Sequence, residues 1–368
     1  MKLLMLSDHT STHTKRWVQA LSERGVQVYL FSLVDASAET YDAMKNVQVY
    51  RSSFSVGVFQ SNGFGLSKLR YLAVMRQLKR FLKEVNPDLV HAHYATSYGL
   101  LGSLLGFKPY VLSVWGTDVF QFPGKSILHK ALLKFNLNKA TQVLSTSQVM
   151  ANETRKYTQR PIEVTPFGVD LERFRPNRKT EEEGKQIVIG TIKSLEHTYG
   201  IDLLIHAFSL LITKHNMKHL KLLIVGGGTQ EEVYRGLVKQ LNLTSYVVFS
   251  GRVAHEELVN YYNRLDVYVA LSRSESFGVA VLEASACELP VLVSNVGGLP
   301  EVVVNEKTGY IIPPEDPEKA AEVLSKLIGD DQLRKRMGHE GRQWVQANYS
   351  WDRNVDKMMT VYREMLDT

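Results

Sequence analysis

Short runs of β-branched and apolar residues alternate with longer stretches of helical periodicity along the whole chain, the pattern of parallel strands joined by crossover helices. In the first half the pattern predicts strands at Lys2 to Leu6, Val26 to Ser32, Asp88 to Ala92, Pro109 to Val114, Thr141 to Ser145 and Ile162 to Thr165. The alternation restarts at Gln186 to Thr191 and continues through Leu220 to Val225, Tyr246 to Ser250, Asp266 to Ala270, Pro290 to Ser294 and Gly309 to Ile312. The fold class this predicts is α/β, with two doubly wound units in tandem. Between them TPFGVD (165 to 170) supplies the Pro and Gly of a hinge, and PNRKTEEEGK (176 to 185) is too polar for a core. Trp351 to Leu366 reads as an amphipathic helix with no strand after it, so it must pack on a unit already built.

Composition narrows the chemistry. A single cysteine, Cys287, in 368 residues excludes a disulfide scaffold, a cysteine-built zinc site and an iron–sulfur cluster, and fits a reducing cytosol. No apolar stretch approaches the roughly 20 residues that cross a bilayer, and the N-terminus does not read as a secretory signal, so a cytoplasmic protein is expected. The net charge of +6 is unevenly spread: residues 1 to 165 hold 20 Lys and Arg against 10 Asp and Glu (+10), the rest 24 against 28 (−4). A basic half without a helix-turn-helix, RNP-type or zinc-finger pattern points away from nucleic acid and toward phosphate-bearing ligands or an anionic membrane surface.

Open parallel sheets bind ligands beyond the carboxyl ends of their strands, so chemistry belongs in the loops that follow them. The most informative such loop is SRSESFGVAVLEASACELP, residues 272 to 290. Glu275 falls in the loop, a helix opens near Gly278, and Glu283 lies roughly 7 Å along its axis at about 1.5 Å rise per residue. A diphosphate at the free N–H groups of that helix start would have a carboxylate on either side, each able to accept hydrogen bonds from sugar hydroxyls. GGG at 226 to 228 also follows a strand and could meet phosphate, but it is not GxGxxG, and the first strand leads into no glycine fingerprint, which disfavours a dinucleotide dehydrogenase.

The two glutamates eight apart, followed by ELPV and GGLPEVV, resemble the retaining GT-B glycosyltransferases of family 4 (glycosyl transferases group 1). TPFGVDLERFRP (165 to 176), IVIGTIKSLEHTYGIDLLIHAF (187 to 208), LIVGGG (223 to 228) and SGRVAHEELVNYY (250 to 262) are similar to further segments of that family. SDHTSTHTKRW and HAHY extend the likeness into the first half. The resemblance implies GT-B architecture, two Rossmann-like domains facing a cleft: an acceptor-side domain at 1–167, a nucleotide-sugar donor domain at 168–348, and a C-terminal helix at 349–368 packing back on the first. It implies a hexose moved from a nucleoside diphosphate sugar, UDP being the expected nucleotide, to a hydroxyl of a saccharide or lipid-linked acceptor in polysaccharide or glycoconjugate synthesis. The anomeric configuration is kept, and neither a cofactor nor a metal is expected.

Carried over by residue, the resemblance has Glu283 bind donor ribose hydroxyls and Glu275 contact the transferred sugar, with Ser276, Phe277, Gly278 and Val279 lining diphosphate and sugar. Lys193 would stabilise the departing diphosphate, with Thr191, Gly226, Gly227, Arg252 and Val253 around the nucleotide. The family's second cation, six positions after Lys193, is here Tyr199, able to donate one neutral hydrogen bond. In the first domain Trp115 stands where many relatives carry His, and serves either as core or as a stacking face. Asp118 either binds hydroxyls or closes a local turn. His13 and Thr14, at the start of a helix opening near Thr12, complete the acceptor and sugar side. His91 and His93 share a strand face, but with no Asp-x-Asp in the chain a metal cage is poorly supported.

The helix Leu66 to Glu84 sets Tyr71, Val74, Met75, Leu78, Phe81 and Leu82 on one face and Lys68, Arg76, Lys79, Arg80 and Lys83 opposite, with Leu69 and Leu72 among them. Residues 66–84 are therefore a candidate peripheral contact with anionic lipid at the inner face of the cell membrane, the alternative being a solvated crossover helix. Two other functions compete with transfer: a nucleotide-sugar epimerase of the same architecture, and a catalytically degenerate subunit that only binds nucleotide sugar.

Overall fold

The computed structural model describes residues 1–52, 66–177 and 186–367. The chain divides into two compact units, one of residues 1–166 together with 354–368, the other of residues 167–353.

The first unit is a seven-stranded parallel sheet of β1 (Lys2–Leu6), β2 (Gln27–Ser32), β3 (Val47–Arg51), β4 (Leu89–His93), β5 (Tyr110–Val114), β6 (Gln142–Ser145) and β7 (Ile162–Val164), in the order β3-β2-β1-β4-β5-β6-β7. Strand order reverses beside β1, where β4 pairs it through Leu3↔Leu89 to Leu6↔Ala92. All five residues of β4 and of β5 are buried, as expected of central strands covered on both faces. Six of the seven strands are those the periodicity predicts. The seventh, β3, is an edge strand, VQVYR, whose residues are all partly or fully exposed. It lacks the continuous apolar run that marks a buried parallel strand, which is why the pattern alone passes over it. The helix Trp351–Leu366 enters this unit, with Val355, Met358, Val361 and Tyr362 buried.

The second unit is a six-stranded parallel sheet of β8 (Ile187–Ile192), β9 (Leu220–Val225), β10 (Val247–Phe249), β11 (Val267–Ala270), β12 (Val291–Ser294) and β13 (Gly309–Ile312), in the order β10-β9-β8-β11-β12-β13, with all six strands where the sequence places them. Its switch point lies between β8 and β11, and its core clusters Ile189, Leu222, Val267 and Leu292 with Ile205, Phe208 and Leu324 of covering helices. Among the described residues, no helix is long and apolar enough to cross a membrane.

The basic helix spans Leu66–Val85. Val74, Met75, Leu78 and Phe81 are buried in the first unit's core, and Arg76, Lys79, Arg80 and Lys83 are exposed. Lys68, Leu69, Tyr71 and Leu72 lie outside the side chains described.

Candidate active site

The expected residues of the second unit gather at its switch point. Lys193 follows β8 and Glu275 follows β11, neighbours in the sheet, and the Lys193 ammonium donates to Glu275 Oε2 with both side chains close to fully buried (10% and 13% exposed). Burial draws the Lys193 ammonium down, yet the Glu275 carboxylate, with Tyr268 and Tyr199 beside it, holds its pKa above the usual lysine value, so the group stays cationic. Tyr268, buried under the pair, is itself pushed up to about 12, by burial first.

Two glycine turns fix these side chains from behind. Gly226, at φ +138°, lies where a Cβ would sit 1.9 Å from the Lys193 carbonyl oxygen. Gly297, at φ +50°, lies where a Cβ would sit 1.7 Å from the carbonyl oxygen of Glu275, which also accepts from Gly298 N–H at 3.0 Å. The loop glycines thus allow backbone to meet backbone at both charge partners. Gly297→Ala is expected to lower unfolding free energy by about 2 kcal/mol or more. Gly236→Ala, a helical position with open space around it, should be neutral or stabilising. Thermal denaturation of the two variants checks this; equal melting temperatures would show that the Glu275 loop is not held by Gly297.

The helix Val279–Ala286 opens at Gly278, φ +117°, and has no acidic residue in its first turn. Its hydrogen-bond ladder begins with Val281 and Leu282 N–H on Gly278 O (3.0 and 3.2 Å), so the amides of Val279 and Ala280 lie ahead of it. Such a helix start, with a fixed ammonium on the neighbouring strand's loop, favours an anion. Ser276 is half-buried in the approach, and Phe277 is buried against Tyr349 and Phe167. Glu283 is buried on the next turn, where Oε2 accepts from Tyr262 O–H at 2.9 Å and Oε1 faces His255 Nε2 at 3.5 Å.

The other expected residues of this unit lie around the pair. Tyr199 presents its ring to the Lys193 ammonium, 4.9 Å from centroid to Nζ, so its π face supports that cation. Thr191 is buried beside Tyr268, and Arg252, exposed, lays its side chain across Gly227, next to half-buried Val253. Tyr262, His255 and Arg273 were not anticipated. Arg273 grips Asp202 with two bonds (2.8 and 2.6 Å) and Glu315 at 2.7 Å, and its N–H donates to Thr198 O, tying the Tyr199 turn to the Glu275 loop. The sequence signal for it was a lone arginine three positions after a strand.

In the first unit the switch point holds a cavity of about 300 Å³ lined by Ser7, Asp8, Ser11, His93, Tyr94 and Trp115 together with Leu33, Val34, Ser97 and Tyr98. Trp115 is half-buried, 4.6 Å from the His93 ring and 5.9 Å, edge-on, from His13, whose helix begins at Thr12. Trp115 is therefore a cavity wall and not plain core. Thr14 is fully buried and shares a 2.7 Å hydrogen bond with Ser7, which in turn meets His93 Nδ1 at 3.1 Å, so it braces the cavity and does not face it. Asp118 corrects the hydroxyl-binding expectation: it is fully buried, and its oxygens accept from the amides of Ala95 (2.8 Å), Gly116 (2.8 Å) and Trp115 (3.2 Å). Burial raises its pKa even against those amides, and its work is to shape the loop that carries Trp115. His91 is spent on structure, bonded to Tyr362 O–H at 2.7 Å and Ser113 Oγ at 2.8 Å. Among the described residues, no group of three His, Cys, Asp or Glu side chains is placed to hold a metal ion.

Comparison with known proteins bears on the family and the fold. Residues 173–344 match the family model for glycosyl transferases group 1, and residues 2–147 that for glycosyl transferase 4-like proteins. The chain is 28% identical to a D-inositol 3-phosphate glycosyltransferase of Corynebacterium jeikeium, covering 99% of this chain and 97% of that one. In fold it is similar to sucrose-phosphate synthase of Thermosynechococcus elongatus (TM-score 0.81, 21% identity, 100% and 99% of the two chains). It is also similar to Anabaena Alr3699/HepE in complex with UDP (TM-score 0.80, 18% identity, 99% and 100%).

Proposed function

This chain belongs to the glycosyl transferases group 1, the family 4-like glycosyltransferases of GT-B architecture, and from that premise we propose that it moves a hexose from a UDP-sugar to a hydroxyl of a saccharide or lipid-linked acceptor, with retention at the anomeric carbon. The observation that carries the reading is the Lys193–Glu275 pair at the second sheet's switch point, beside a helix start whose leading amides belong to Val279 and Ala280. In this reading the diphosphate takes those amides and the Lys193 ammonium, and Glu283 accepts from ribose hydroxyls. Glu275 accepts from hydroxyls of the transferred sugar. The acceptor oxygen forms its bond to the anomeric carbon on the face from which the diphosphate oxygen departs, and that oxygen takes the acceptor proton, so no separate base is required. The chain supplies alignment and charge stabilisation where negative charge develops, a role Lys193 fills without a metal ion.

The test incubates the full chain with UDP-, GDP- and ADP-hexoses, with and without saccharide or lipid-linked acceptors, and follows nucleoside diphosphate release and melting temperature. A UDP-hexose should raise the melting temperature, and diphosphate release should require acceptor and persist in a metal chelator. A changed nucleotide sugar formed without acceptor would make the protein an epimerase. Stabilisation by donor with no release under any acceptor would make it a binding subunit.

A further inference from the structure

The helix Ile127–Lys139 in the first unit is apolar on two sides. Leu133, Asn136 and Leu137 are buried, and Asn136 donates to Ala95 O at 2.8 Å, which fixes that face inward. At about 100° per residue, Ile127, Leu128, Ala131 and Phe135 fall together on the opposite face. Ile127 is 86% exposed, Leu128 72% and Phe135 40%. Three of the eight exposed large hydrophobic side chains among the described residues thus share one face of one helix, which departs from the scattered exposure that needs no explanation.

The surroundings of the stripe are cationic. Lys130 and Lys134 flank it on one side and Lys139 on the other, Lys125 precedes it, and no Asp or Glu occurs from Val119 to Asn152. At the helix's far end Lys108 donates to Lys139 O, and Arg160 donates to Asn138 O at 3.0 Å. Lys108 is held below the usual lysine value by burial and then by the Arg160 and Lys139 charges, as expected where no carboxylate intervenes. A second copy of the chain would have to set this lysine rim against itself, because a two-fold interface pairs each patch with its own image. An anionic bilayer supplies both complements, acyl chain for the stripe and headgroup charge for the rim.

We propose that the Ile127–Lys139 helix is a membrane-docking surface, with Ile127, Leu128 and Phe135 entering the acyl boundary and Lys125, Lys130, Lys134 and Lys139 resting on anionic headgroups. It is separate from the basic helix Leu66–Val85 and independent of the transfer reaction, since docking needs no donor. The test is flotation of the full chain with vesicles of phosphatidylcholine alone or mixed with phosphatidylglycerol. The chain should float with the anionic vesicles and not the neutral ones. The paired change Ile127→Ser and Leu128→Ser should weaken binding about tenfold or more, and Lys130→Glu with Lys134→Glu should abolish it. Arg76→Glu with Lys79→Glu, on the other basic helix, should leave most of it intact. These positions are exposed, so unchanged melting temperatures are expected and guard against misfolding. Equal binding of wild type and the serine pair would overturn the proposal. So would a wild-type dimer in sedimentation that the serine pair dissolves, which would make the surface a self-contact.

Discussion

Replacing Lys193 with alanine is expected to lower the rate of sugar transfer by about two to four orders of magnitude, the scale on which losing a charge aimed at a developing oxyanion is felt. The ammonium is nearly buried, joined to Glu275 and faced by the Tyr199 ring, so water cannot substitute for it. The pair makes a second, separable prediction. Either Lys193→Ala or Glu275→Gln leaves its partner charge uncompensated in a poorly solvated place, and each should also cost about 3 kcal/mol of stability. The double variant Lys193→Met, Glu275→Gln removes both charges, and its melting temperature should return most of the way to wild type while transfer stays lost. Measuring diphosphate release and thermal denaturation on all three separates chemistry from folding. Transfer by Lys193→Ala within about threefold of wild type would remove Lys193 from the site.

The second large effect is acid sensitivity of the first unit. Burial lowers the His91 pKa to about 3, and His93 is lowered well below its usual value by burial and then by His91 and His13. Between about pH 6.5 and 3 the unfolded chain therefore binds protons at His91 that the folded one refuses. The stabilisation is complete above pH 6.5 and declines as pH falls toward 3, by about 1.4 kcal/mol per pH unit and on the order of 5 kcal/mol in all. Exchange of the β4 amides at pH 7 and pH 5 reads it locally. His91→Gln can still reach Tyr362 and Ser113 but cannot titrate, so its exchange should depend much less on pH; an unaltered dependence would assign the acid step to other groups.

Much of this was legible in the sequence because parallel strands buried on both faces read as apolar runs, and ten of the thirteen strands are mostly buried, the edge strands β3, β7 and β10 having no buried residue. The helix start at Gly278 was legible for a similar reason: a glycine between a loop and an apolar helical run has few other uses. Partnerships across long separations were not. Nothing in the spacing joins Lys193 to Glu275, Tyr262 to Glu283 or Arg273 to Asp202, because each pairing is made by strand order and not by neighbourhood in the chain. Asp118 shows the opposite limit, since an Asp in a post-strand loop looks the same in sequence whether it binds a ligand or, as here, three amides of its own surroundings.

Because the first unit takes its last helix from residues 354–368, with Tyr362 hydrogen-bonded to His91, its assembly joins residues on both sides of the second unit in sequence. On the ribosome the strands from β1 to β7 emerge before the second unit, yet the partner for His91 is translated 271 residues after it. Of these two units the one begun earlier is thus closed later, and β4 must wait through production of the whole intervening sheet with a polar imidazole still lacking its phenol.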